Sequence, residues 1–286
     1  WRHQMDPLAE RGWRAVALDM RGYGGSDRPP DPADYGPDAI CADLLAVLDD
    51  LGAERAVFVG HDFGARAVYD LALRHPDRVR ALIVLSVPFR PRSPVRPTEA
   101  FAAIAREHFL HLHYFQEQGP ADRELAGAPA EFLRRVFWAL SGGARYLDVW
   151  AHPSDGNGYL DVLPAAPPLP WPWLSQQEFD RYVDEFARTS FTGGLNWYRS
   201  ADTHWEQMAD YADTTIPVPM WFLAGARDTV LEMFGTDVLD SMRQWVPDLR
   251  RVELVPGAGH FVQMEAAGEV TRLMLEFLDE LRAEGA

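Results

Sequence analysis

Residues 60–64 read Gly-His-Asp-Phe-Gly, with an Asp at the centre of a turn that in many enzymes carries a Ser. The approach, Arg55-Ala-Val-Phe-Val59, is β-branched and aromatic, and the exit from Ala65 to His75 reads as a helix. Strand, Gly-x-nucleophile-x-Gly and helix make a nucleophile elbow, a sharp turn that lifts one side chain above a sheet. The glycines at 60 and 64 are expected to let neighbouring backbone pass without Cβ clashes. A Ser attacking a saturated carbon would form an ether, which water does not cleave under mild conditions. A carboxylate forms an ester instead, and with an ordinary pKa near ~3.9 it is ionised at neutral pH unaided. Asp62 therefore predicts alkyl transfer to the protein followed by ester hydrolysis. The plainer alternative is an Asp that only caps the following helix.

Two further residues complete the pattern. Enzymes with this elbow place their partners in the chain order nucleophile, acid, His. Trp221-Phe-Leu-Ala-Gly225 is a buried-strand pattern, and Asp228 stands just beyond it. Val252-Glu-Leu-Val-Pro256 is another, followed by Gly257-Ala-Gly-His-Phe261, which puts His260 on a Gly-rich loop before the last helix. Catalytic groups of open α/β sheets gather outside the carboxyl ends of the strands, where all three residues are predicted to lie. His260 is expected to activate water, with Asp228 holding the imidazole tautomer and stabilising its charged form. Singly, Asp228 reads equally well as a turn residue and His260 as a loop histidine; in this order they read as a triad.

The elements that must position these groups alternate along the chain. Trp13 to Leu18 is a strand candidate, followed by a Gly-rich turn in which Asp19, Arg21 and Asp27 are expected to form an ion-pair and turn network. Asp38 to Leu51 has helical spacing with Gly52 as its cap, and Val79 to Leu85 is an apolar strand interrupted only by Arg80. Residues 90–212 are aromatic-rich, with helical patches and a Pro-rich break at 163–172. The expected fold is α/β: a mostly parallel sheet flanked by helices, with core at 1–89 and 213–286 and a helical lid at 90–212.

At 286 residues the chain has room for such a core and insertion, and a net charge of −16 argues against nucleic acid and anionic membranes as partners. No apolar run approaches the ~20 residues of a membrane span. The lone Cys41 excludes an internal disulfide and points to a reducing cytoplasm. Lys is absent, every basic side chain being Arg. His108, His111 and His113 beside Glu107 suggest metal only weakly, since no two of these histidines lie four apart. Neither a metal nor an organic cofactor is expected. Arg66, one turn past the elbow, is expected on the helix exterior.

With these pieces in place the chain resembles the epoxide hydrolases of the α/β-hydrolase fold, the type found in bacteria and mammals. The resemblance spans nearly all of the chain and rests on Gly-His-Asp-Phe-Gly at 60–64, Ser-Val-Pro-Phe at 86–89, Tyr-Phe-Gln at 114–116, Gly-Leu-Asn-Trp-Tyr-Arg at 194–199, Asp228 and His260. It implies that Asp62 attacks an epoxide carbon while two lid tyrosines, Tyr114 and Tyr198 at the matching positions, hydrogen-bond the ring oxygen. Tyr146, Tyr159 and Tyr182 also stand available for the first of these places. The ester would then be cleaved by water activated by His260, with the N–H of Phe63 holding the oxyanion. A phenol suits a developing alkoxide because it can donate to it. The expected pocket lining is Phe63, Phe89, Phe137, Trp138, Val230, Leu231 and Phe261, and the expected partners are a small apolar epoxide and, at most, a second copy of the chain in a homodimer.

Haloalkane and haloacid dehalogenases of the same fold share the elbow and triad and form the main alternative; a non-catalytic ligand-binding member is the other. A halide leaves without a proton, and the residue after the nucleophile, a Trp donor in many haloalkane dehalogenases, is here Phe63, which has no N–H to offer. The family's His-Gly-x-Pro loop is missing from this sequence. The strand that feeds it lies, in the family, between the Trp13–Leu18 strand and the elbow strand. An N-terminally incomplete version of a longer protein is therefore expected, with neighbouring strands left unpaired.

Overall fold

Side chains of the Val79–Leu85 strand alternate between two covered faces, as a strand buried on both sides requires. Leu82 and Val84 enter one apolar cluster; Ala81, Ile83 and Leu85 enter another. In the computed structural model, which describes residues 1–235 and 237–284, this strand belongs to a four-stranded parallel sheet. The strands are β1 (Ala56–His61), β2 (Val79–Leu85), β3 (Met220–Gly225) and β4 (Leu249–Val255), lying in that order. Their register sets Phe58 beside Leu82, Val84 beside Phe222, and Phe222 beside Val252. Of the expected strands, that at 79–85 matches in full, and those at 55–59, 221–225 and 252–256 match to within three residues.

Among the described residues the helices of the first half are α1 (Met5–Glu10), α2 (Pro37–Asp50), α3 (Phe63–Arg74), α4 (Pro97–Ala105), α5 (His111–Tyr114), α6 (Pro120–Gly127) and α7 (Pro129–Leu140). They continue as α8 (Tyr159–Val162), α9 (Gln176–Thr189), α10 (Thr192–Arg199), α11 (Ala201–Gln207), α12 (Thr229–Phe234), α13 (Asp237–Trp245), α14 (Val262–Glu265) and α15 (Ala267–Glu284). Helices α2, α3 and α13 cover one sheet face through Ile40, Leu44, Val68, Leu71 and Met242. Helix α15 covers the other through Val270, Leu273, Met274 and Phe277. Between β2 and β3 the described chain is helical, and it carries its own apolar cluster, drawn entirely from residues between Phe109 and Leu195. No described helix is long and apolar enough to cross a membrane.

Two expectations fail here. Trp13–Leu18 is not a strand, while its lack of any partner in the sheet agrees with the expectation that it and the elbow strand are left unpaired toward each other. A cavity of about 640 Å³ separates this segment from β1, lined by Ala15, Ala17, Leu44, Val57 and Val59 and reaching Asp62. Ladder bonds need backbones about 4.8 Å apart, and none joins this segment to β1. The glycine expectation holds at only one of its two positions. A Cβ on Gly60 would run into the backbone carbonyl of Gly64, whereas one on Gly64 would meet nothing within 4 Å. Gly60→Ala is therefore expected to destabilise the fold by about 1–3 kcal/mol, the usual cost of overpacking. Gly64→Ala, in the first turn of α3, should lower the thermal midpoint little or raise it. Thermal unfolding of both variants checks the contrast; equal midpoints would remove the steric account of the elbow.

Candidate active site

Strand β1 ends at His61 and α3 begins at Phe63, so a single residue makes the turn. Asp62 makes it at φ 53° and ψ −119°, a conformation that L side chains adopt only under constraint. The backbone of Asp62 does the capping, its carbonyl accepting from the N–H groups of Ala65 and Arg66. Its carboxylate makes no capping bond beyond the N–H of its neighbour Phe63, which argues against the cap alternative, and 41% of the side chain is exposed.

Asp228 begins α12, and its Oδ1 accepts from the N–H of Val230 at 2.9 Å, so the turn role and the site role coincide. Its side chain is fully buried and turned to His260, with Oδ1 at 3.2 Å from Nδ1. On the other side, His260 Nε2 lies 3.3 Å from Asp62 Oδ2. The structure thus brings Asp62, His260 and Asp228 into one line at the carboxyl ends of β1, β3 and β4.

The electrostatics follow from that line. Burial disfavours the His260 imidazolium, but Asp228 and Asp62 outweigh it and raise its pKa from 6.5 to about 10. For Asp62, burial pushes upward, yet His260, His61 and the N–H of Phe63 hold the carboxyl below the ordinary carboxylate range. Asp228 is likewise lowered, His260 overcoming its desolvation. His61 goes the other way: burial, then the neighbouring His260 charge, bring it to about 4. His61 is therefore neutral near pH 7.

The backbone of His260 is held at both ends. Its N–H donates to the Leu140 carbonyl at 2.9 Å, while its own carbonyl accepts from Ser86 Oγ at 2.9 Å and faces His61 Nε2 at 2.8 Å. With a carbonyl as partner, His61 Nε2 must carry the proton. Ser86 reaches this position from the left-handed region, at φ 72°. Glu265 gathers the rest of the loop, accepting from the N–H groups of Gly142 at 2.8 Å and of Gly259 and Phe261 at 3.1 Å. Burial raises the Glu265 pKa even so. His61 and Ser86 lie inside motifs already singled out, and their positions beside the nucleophile and at the end of β2 were the available signal. Glu265 gives no signal in the sequence.

The segment Gly194-Leu-Asn-Trp-Tyr-Arg199 divides its work residue by residue. Asn196 Nδ2 donates to the Pro30 carbonyl at 3.2 Å and Trp197 Nε1 to the Arg21 carbonyl at 2.9 Å, both in the loop ahead of α2. Arg199 pairs with Asp122 of α6 at 2.5 Å. Between them Tyr198 sets its ring edge-on to Phe63, centroids 4.7 Å apart, and its pKa is raised by burial and by the charge of Asp62. Its hydroxyl has no hydrogen-bond partner among the described residues.

Tyr114 is placed differently from the expectation. Its hydroxyl donates to Glu124 Oε2 at 2.8 Å, and its ring lies against Phe109 and Phe115. Burial and Glu124 together raise its pKa. Of the other tyrosines, Tyr146 bonds His111 and Tyr159 through its hydroxyl, and Tyr182 accepts from Arg2 at 3.2 Å.

Among the expected lining residues, Phe63 lies against Tyr198, and Phe137 meets Phe261 at 5.2 Å beside His260. Phe89 and Leu231 sit in the core cluster, Phe89 against Tyr69 at 5.1 Å. Trp138 packs on Trp171 at 5.4 Å, and Val230 is part-buried at the start of α12. Arg66 is not on an exterior face. Its guanidinium lies 4.8 Å from the Phe63 ring and 5.7 Å from that of Trp197. Arg21, expected to pair within its own loop, instead holds Asp43 with two bonds of 2.8 Å, and Asp19 accepts from the N–H of Gly25 at 2.9 Å.

Because Asp62 contributes to the raised pKa of His260, Asp62→Asn should lower the His260 titration midpoint, read by NMR of the imidazole nitrogens. A group whose pKa rises on folding stabilises fully below its unfolded value, so the contribution is complete below 6.5 and lost as pH climbs through about 10. An unmoved midpoint would show that Asp62 and His260 are not paired.

A sequence profile of the alpha/beta hydrolase fold matches residues 1–114. Over 282 residues the chain is 47% identical to "Epoxide hydrolase A" of Mycobacterium tuberculosis, covering 98% of this chain and 86% of that protein. It is 34% identical over 284 residues to "Epoxide hydrolase 1" of Siraitia grosvenorii, covering 98% and 87%. The crystal structure of Epoxide Hydrolase A from Mycobacterium thermoresistibile superposes with a TM-score of 0.90 at 44% identity, covering 98% and 86% of the two chains. An epoxide hydrolase from an endophytic Streptomyces does so with a TM-score of 0.94 at 38% identity, covering 99% and 86%.

Proposed function

Since the chain belongs to the epoxide hydrolases of the α/β-hydrolase fold, which add water to an epoxide to give a vicinal diol, we propose that Asp62, His260 and Asp228 carry that reaction here. The observation that carries the assignment is His260 held between the two carboxylates, at 3.3 and 3.2 Å. Asp62 Oδ attacks an epoxide carbon from the side opposite the ring C–O bond. As the new O–C bond forms, the ring bond breaks, and its electron pair passes to the ring oxygen, which takes the phenol proton of Tyr198.

Alkylation removes the charge of Asp62, one of the two that keep His260 protonated. The imidazolium then releases its proton, which restores the Tyr198 phenol through solvent, and a neutral base is left beside the ester. His260 next takes a proton from water as the hydroxide adds to the ester carbonyl, with the Phe63 N–H donating to the oxyanion. Collapse expels the diol oxygen, which takes the proton of the carboxyl group; Asp62 returns as carboxylate and His260 as imidazolium. One water is consumed per turnover: the diol leaves with the Oδ that attacked, the water oxygen takes its place in the Asp62 carboxylate, and no proton is left over.

We assign residues 90–212 as a lid over a core made of 1–89 and 213–286, residues 236, 285 and 286 lying outside the described ones. The rings of Phe63, Phe137 and Phe261 favour an apolar substrate body. The single Cys41, buried and unpaired, suits the cytoplasm.

The test uses His260→Ala with epichlorohydrin, read by intact-protein mass. The ester should accumulate, on Asp62 by peptide mapping, as an adduct that keeps chlorine; loss of chlorine would mean halide displacement and overturn the reading. Asp62→Ala should abolish turnover. Tyr198→Phe should slow alkylation by about 10²-fold or more, the usual cost of one lost donor to a developing oxyanion, with a much smaller effect on ester hydrolysis.

A further inference from the structure

Opening an epoxide loads charge onto one oxygen, and Tyr198 supplies one donor to it. The expected second donor, Tyr114, has its hydroxyl committed to Glu124. One turn earlier on the same short helix stands His111, whose ring meets that of Tyr198 edge-on at 5.8 Å and stacks on Tyr159 at 5.7 Å. Tyr198 in turn packs on Phe63, the neighbour of the nucleophile. We propose that His111 is a catalytic residue, its Nε2–H being the second hydrogen-bond donor to the epoxide oxygen beside the Tyr198 hydroxyl. This rests on the covalent reading at Asp62.

Three observations carry it. The Nδ1 of His111 lies 2.6 Å from the Tyr146 hydroxyl, which lies 2.7 Å from that of Tyr159. Only with Tyr159 donating to Tyr146 and Tyr146 to Nδ1 do both buried hydroxyl protons find a partner among the described residues, and the proton of the neutral ring then sits on Nε2. That nitrogen has no protein partner among the described residues. Finally, His111 feels the charges of both Asp62 and His260, which places it toward the reacting groups, whereas Tyr114 responds to Glu124, Asp161 and Arg123 instead. Burial lowers the His111 pKa to about 4, so it works as a neutral donor. The N–H remains on its nitrogen throughout, and the proton taken by the oxygen is still that of Tyr198.

The test follows the rate at which epichlorohydrin alkylates Asp62 in a His260→Ala background, by intact-protein mass over time. Adding His111→Phe keeps a ring against Tyr159 and Tyr198 but removes the donor, and should slow the adduct by about 10²-fold. Adding His111→Gln, which keeps an N–H, should recover most of that loss, which a merely loosened lid would not allow. Adding Tyr114→Phe should change the rate less than threefold. If His111→Phe disturbs folding, His111→Met replaces it as the variant without a donor. Alkylation at an undiminished rate without the His111 donor, or a large loss with Tyr114→Phe alone, overturns the assignment. No adduct in His260→Ala itself would instead sink the covalent reading, and this inference with it.

Discussion

Two carboxylates share one imidazolium, Asp62 Oδ2 at 3.3 Å from Nε2 of His260 and Asp228 Oδ1 at 3.2 Å from Nδ1. Three charges gathered in a largely buried place are costly to desolvate, and removing any one strands the others. Much of the surrounding structure reads as the means of holding that arrangement. A parallel sheet delivers β1, β3 and β4 to one side with their carboxyl ends together, so three residues far apart in sequence meet without long loops. Ser86 and His61 fix the carbonyl of His260, Leu140 takes its N–H, and Glu265 ties the loop on either side of it. In the proposed reaction the site also sets its own order of events. His260 starts as an acid and becomes a base only after Asp62 has been consumed, so water activation waits for the ester.

The parts legible in the sequence were those fixed by local chemistry. The elbow, the strand at 79–85 and the residues just past β3 and β4 follow from β-branched runs ended by Gly or Asp, and no distant contact was needed to place them. What escaped depends on side-chain direction. Tyr114 and His111 share one helical turn, and only the positions of Glu124 and Tyr146 decide which of them turns to the nucleophile. Arg66 has the sequence look of a solvated helix residue, yet Phe63 and Trp197 take up its guanidinium. Trp13–Leu18 has strand composition, but a strand is made by its neighbour's backbone, and none of the four strands pairs with this segment. Gly64 satisfied the motif while its surroundings place no steric demand on it.

Helix α10 joins two separately packed bodies. Leu195 belongs to the apolar cluster of the inserted segment and Trp197 to that of the sheet, while Asn196 and Trp197 bond the loop at 21–30 and Arg199 reaches Asp122. Tyr198 thus packs on both, against Phe63 beside Asp62 and against Phe115 of the stretch between β2 and β3. The consequence concerns divergence among relatives. Substitutions between Phe109 and Leu195 that spare His111 and Phe115, two rings of that stretch set against Tyr198, can resculpt the aromatic ceiling, and with it the molecules admitted, while leaving the phenol its neighbours. Selectivity and reactivity in this protein are therefore free to evolve on largely separate clocks, coupled through α10 and through α5, which carries His111.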